Sequence, residues 1–168
     1  METKTKDKKT FMPLLIDMYD WHTKLFKNVT IDISDKDAQN RMGTKANHVA
    51  WLTGSLVESR YQLAKFAGKE LIQTSYELFK DHKGIQENVV YPSLSEFKKD
   101  WETISPVLRN TLLSLSNEKL NSPDPYKMPG ANLTFFDSIV GCTDRESYCI
   151  GQIALYRRLL GYDAMKYE

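Results

Sequence analysis

A chain of 168 residues is the size of one domain, and 41% hydrophobic residues supply an ordinary core. Lys and Arg number 23 against 22 Asp and Glu, leaving a net charge of +1. The basic residues are scattered, which argues against non-specific nucleic-acid binding, and no apolar run approaches the roughly 18 residues of a membrane span.

The opening residues METKTKDKK read as a flexible lead over 1–9, with a single helical domain over 10–168. The stretch that follows, FMPLLIDMYDW, is interrupted at Asp17 and so lacks a signal-peptide core, pointing to the cytoplasm. Phe11, Leu14, Leu15, Met18, Trp21, Leu25 and Phe26 recur at helical spacing and predict a first helix over about 10–27, with Pro13 in its first turn. The polar segment VTIDISDKDAQNRMGTK reads as loop.

A second helix is expected from Asp35 or Thr44 to Ala67, carrying His48, Trp51, Leu52, Ser55, Leu56, Gln62, Leu63 and Phe66, with Gly68 as its stop. About two dozen residues with at most a short helix come next. Ser93 followed by Glu96 then forms a capping box and starts a third helix, which Pro106 should kink. The Pro-rich loop SNEKLNSPDPYKMPGAN leads into a fourth helix over Thr134–Leu160, stopped by Gly161. Val-Ile-Thr alternation is confined to NVTIDI, so no sheet is predicted. The pattern implies an all-α fold, a four-helix bundle with long connections.

The fourth helix poses the chemical question. At 100° per residue, Phe135, Ser138, Cys142, Arg145, Cys149, Ile153, Tyr156 and Leu160 share one stripe with a polar centre, and bundles build sites on such layers. Cys142 and Cys149 lie two turns apart, about 10 Å, too far for a disulfide. Both are expected as free thiols in a reducing compartment.

Two stretches resemble the DinB/YfiT-like family of helical bundles, which includes metalloenzymes and thiol-dependent transferases. ESYCIGQIALYRRLLGYDAM is similar to the family's closing H-E-x-Y-H-x-G-Q-I, followed by an arginine-rich helix end. NHVAWLTGSLVESR is similar to its N-H-x-x-W-x-x-G-H-L. The resemblance implies a DinB-like fold, a homodimer, and membership of a DNA-damage- or stress-inducible group. It also implies metal-binding histidines at positions that here are Ser55, Arg145 and Cys149. A hydroxyl, a permanent cation and one thiol do not make a divalent site. The expectation is therefore a degenerate metal site with no metal and no cofactor.

In that pocket Arg145 supplies the positive charge, and a small anionic molecule is the expected partner, held by Ser55, Arg145, Cys149, His48 and Glu58. The competing reading pairs Arg145 internally with Glu58 or Glu146. The alternative function is a metal- or thiol-dependent transferase or hydrolase using Cys149, whose thiol Arg145 would activate; against it, a free Cys is usually a small buried hydrophobe. His48 reads as a hydrogen-bonded histidine at the rim of the bundle, while His22 and His82 have no ligand-like company. Gly151, mid-helix, suggests close helix approach. Arg157 and Arg158 complement the helix dipole, and Trp21, Trp51 and Trp101 are expected as core or interface anchors.

Overall fold

The computed structural model describes residues 7–168, so residues 1–6 of the lead expected over 1–9 lie outside the described part. Among the described residues seven α-helices occur in the order α1 (Met12–Val29), α2 (Asp35–Ala38), α3 (Val49–Phe66), α4 (Tyr76–Phe79), α5 (Leu94–Ser114), α6 (Asn117–Leu120) and α7 (Phe135–Leu159). Among the described residues no strand forms, only an isolated bridge between Pro123 and Thr134. No helix there is long and apolar enough to cross a membrane.

The four long helices pack as two antagonistic pairs: α1 lies against α5 and α7, and α3 lies against the same two. Their inward residues form one hydrophobic cluster, including Phe26, Leu56, Phe97, Trp101, Ile104, Leu108 and Ile153. The Phe26 and Trp101 rings stack at 3.9 Å.

Helix ends follow local chemistry. Ser93 and Glu96 cap α5 reciprocally, as do Thr134 and Asp137 at α7. Gly68 and Gly161 take φ of +92° and +89°. At each, paired backbone bonds return to the last turn, Gly68 N to Lys65 O with Lys69 N to Ala64 O, and Gly161 N to Arg158 O with Tyr162 N to Arg157 O.

Several expectations need correction. The second long helix does not begin at Asp35 or Thr44: α2 is a separate single turn, and α3 starts after His48, whose Nδ1 accepts the Trp51 N–H at 3.1 Å. A capping histidine carries no pattern signal, since N-caps are usually Ser, Thr, Asp or Asn. Pro106 lies inside α5, as expected, and the helix assignment runs through it; Glu102, whose carbonyl loses its usual donor there, is exposed to solvent. Asp7–Lys9, expected within a solvated lead, are docked: Lys8 reaches Thr134 and Asp137, and Lys9 N donates to Asn117. Trp21 is 45% exposed, so of the three tryptophans only Trp101 is fully buried. Arg157 is buried and donates to the carbonyls of Val29 and Ile31, placing a cation on the negative end of α1 as well as of α7.

Candidate functional site

The α3–α7 seam opens into a cavity of about 510 Å³. Trp51, Ser55, Glu58, Ser59 and Gln62 face it from α3, at spacings of three and four. Ser138, Gly141, Cys142 and Arg145 face it from α7. The long connections close it: Phe79, His82 and Lys83 come from the α4 region, and Asp124, Tyr126, Met128 and Leu133 from the loop before α7. A cavity of this size with aromatic walls and a few polar groups suits a small organic ligand.

That roof is organised by Asp124. Its carboxylate accepts the Ser138 hydroxyl at 2.6 Å and the backbone N–H groups of Tyr126 and Met128. Burial works against the charge, but these hydrogen bonds outweigh it and hold the carboxyl below its ordinary value. Tyr126 then packs edge-on against Phe66, its hydroxyl 3.5 Å from Cys142 Sγ. Burial raises both of those groups.

Ser55 and Arg145 are brought together: Arg145 Nη2 donates to Ser55 Oγ at 2.6 Å, and Nη1 to the Ser55 carbonyl at 3.4 Å. The acids proposed as its internal partners are engaged elsewhere. Glu58 accepts the Gln73 side-chain amide at 2.6 Å, and burial pushes its carboxyl up. Glu146 binds Arg60. Asp137 accepts from Thr134 and Lys8. Among the described residues Arg145 makes no ion pair, although it is half-buried on the cavity wall.

Cys149 and His48 are not part of this cavity. Cys149 is 3% exposed and packs in the core one turn beyond Arg145. Burial pushes its thiol up, with the Arg145 charge opposing and the Glu146 charge reinforcing. A protonated thiol away from the cavity is badly placed for nucleophilic attack. His48 sits at the start of α3, edge-on to Tyr91, beside a separate polar depression with Gln39 and Arg41. Burial, with the nearby Arg41 charge, keeps it neutral by lowering its pKa.

The three positions that the resemblance assigns to metal ligation do not fit a divalent cation. The Ser55 oxygen is occupied by a guanidinium, and the Cys149 thiol is buried and raised. Among the described residues no three His, Cys, Asp or Glu side chains gather in a metal-holding arrangement.

The sequence reading missed the most buried polar cluster. Arg60, 1% exposed, donates Nε to Glu146 Oε1 at 2.6 Å and Nη2 to Oε2 at 2.8 Å. Its Nη1 reaches the hydroxyls of Thr23 and Ser105, both at 2.7 Å. The guanidinium carbon lies 3.5 Å from the Trp101 ring centroid and 3.7 Å from that of Tyr19. His22 Nδ1 approaches Glu146 Oε2 at 3.4 Å without hydrogen-bonding geometry, so His22 does have an acidic neighbour. Burial alone would raise the Glu146 carboxyl, but the Arg60 charge and hydrogen bonds prevail and hold it down. The only signal in the sequence was Arg60 and Glu146 each adjoining a predicted apolar stripe. The buried face of α7 shares Phe135, Ser138, Cys149, Ile153 and Tyr156 with the predicted stripe but is rotated from it by about 40°, which exchanges Arg145 for Glu146 as its central charge.

No family model and no curated protein matches the chain.

Proposed function

We propose that the chain is a cytoplasmic, homodimeric four-helix bundle of the DinB/YfiT type whose pocket binds a small anionic molecule on Arg145 in place of a metal. The fold part of this reading is supported by four long helices joined through three long connections. The observation that carries the ligand part is the Arg145 guanidinium, fixed by Ser55 at the wall of a cavity and lacking a carboxylate partner. A half-buried permanent cation is costly without compensation, and a ligand carboxylate supplies it by two parallel N–H···O bonds. Phe79, Tyr126, Trp51, Met128 and Leu133 suit an aromatic or branched apolar body.

The test is calorimetric titration of the full chain with small aromatic carboxylates, such as benzoate and phenylacetate, against their neutral amides. Acids are expected to bind and amides to bind far more weakly. Arg145→Gln removes a charge-assisted bidentate contact of about 1.5–3 kcal/mol, a loss of roughly 10- to 150-fold in affinity. Arg145→Lys recovers only part of it, because an ammonium lacks the planar fork. Equal binding of acid and amide, or an Arg145→Gln protein that binds as well as the original, defeats the reading.

A further inference from the structure

The outward face of α7 carries a pattern that a single copy of the chain leaves unused. Asp144, Tyr148, Gly151, Leu155, Arg158 and Leu159 are all exposed and fall on one stripe at steps of three and four. Gly151 is at its centre. A mid-helix glycine weakens a helix relative to alanine, and close approach of a neighbour usually accounts for it. Here nothing lies within 4 Å of the position its Cβ would take, so no neighbour inside the chain requires the missing side chain.

The residues around Gly151 are self-complementary. Asp144 precedes it by seven residues (151 − 144) and Arg158 follows it by seven (158 − 151). Neither makes an ion pair among the described residues. Tyr148 precedes it by three and the small, half-buried Ala154 follows by three.

We propose that two copies of the chain associate through α7 packed antiparallel on α7 of a second copy, crossing at Gly151. A two-fold axis there sets Asp144 opposite the partner's Arg158 and Tyr148 over the partner's Ala154, each contact made twice. The charges stand about 10 Å to either side of the crossing. The charge complementarity about the glycine suits a second copy of the chain, since the acid of each copy then meets the base of the other. An interface of standard size takes roughly 800 Å² from each partner. A 25-residue helix face is about 37 Å by 10 Å, so it supplies about half. The rest is available alongside: Phe11, Leu14, Met18 and Trp21 form an exposed apolar stripe on and just before α1, and Phe11 touches the Phe136 ring of α7 at 6.4 Å.

This interface rests on the homodimer reading and is separate from the Arg145 ligand reading, which titration reads independently. Sedimentation equilibrium of the full chain is expected to show a dimer. Asp144→Arg and Arg158→Asp, each placing like charges opposite one another twice, are expected to weaken it about tenfold or more. An equimolar mixture of the two variants restores pairing, because each then meets its opposite charge. Gly151→Cys is expected to form a disulfide-linked dimer under mild oxidation, whereas Lys99→Cys on exposed α5 is not. Circular dichroism checks that the variants fold, and rescue in the mixture cannot come from misfolding. A monomer at about 100 μM overturns the dimer itself. A dimer indifferent to both reversals and uncrosslinked at position 151 overturns this interface.

Discussion

Replacing Glu146 by Gln isolates the buried ion pair that joins α3 to α7. The substitution preserves volume and removes one charge, leaving Arg60 1% exposed with no counter-ion. Of the two bonds of 2.6 and 2.8 Å one is lost, because the amide nitrogen cannot accept, and the other loses its charge; the hydroxyls of Thr23 and Ser105 and the rings of Tyr19 and Trp101 do not neutralise the guanidinium. Breaking a buried pair in this way costs about 3–5 kcal/mol, against a total stability of about 5–15 kcal/mol for a domain. At roughly 2–4 °C per kcal/mol for a chain of this length, the melting temperature should fall by about 6–20 °C. Urea and thermal unfolding followed by circular dichroism at neutral pH measure it.

The double variant Arg60→Met with Glu146→Leu should lose less than either partner's removal alone, because no charge remains buried. The pH dependence has a defined sign. The folded carboxyl is held below its ordinary 4.5, so its stabilisation is complete above that value and disappears as the pH falls through the lowered folded pKa. The original protein and Glu146→Gln should therefore converge in strong acid. A loss under about 1 kcal/mol at neutral pH, or a double variant that loses the sum of the singles, refutes the reasoning.

Two further outcomes follow from packing. At Gly54 an added Cβ would lie 2.2 Å from Phe79 Cζ and 2.7 Å from Phe97 Cε1, both rings being buried, so Gly54→Ala should cost about 3 kcal/mol, the upper end of ordinary overpacking, and urea unfolding that shows under 0.5 kcal/mol contradicts it. The Cys149 thiol is pushed above its ordinary 9.0 by burial, so alkylation by iodoacetamide in the native protein should run at least about tenfold slower than in urea and accelerate only in strong base; a rate equal to that of a free thiol at neutral pH removes the argument.

The sequence by itself determined the long helices and their ends. Apolar residues three and four apart must share a face, Ser93 with Glu96 satisfies two orphan donors within four residues, and Gly68 and Gly161 accept a backbone turn that other residues resist. These are local effects, readable without neighbours. The register of Ser55 against Arg145 was also legible, through the resemblance of two stretches rather than through periodicity, and the two side chains do meet.

Only the tertiary structure decided which charge on α7 enters the core. Arg145 and Glu146 are adjacent and differ by 100° in phase, and that choice depends on how α7 settles between α1 and α3. Once Glu146 turns inward, Arg60 must meet it and the Tyr19 and Trp101 rings face that guanidinium in turn, because a buried charge without partners is too costly to keep. The same phase leaves Arg145 at the cavity edge without an acid, while Cys149, on the expected and the observed inward face alike, lies in the apolar interior. His48 caps α3 through a local bond, but its edge-on contact with Tyr91 is non-local, and periodicity carries no information about that contact.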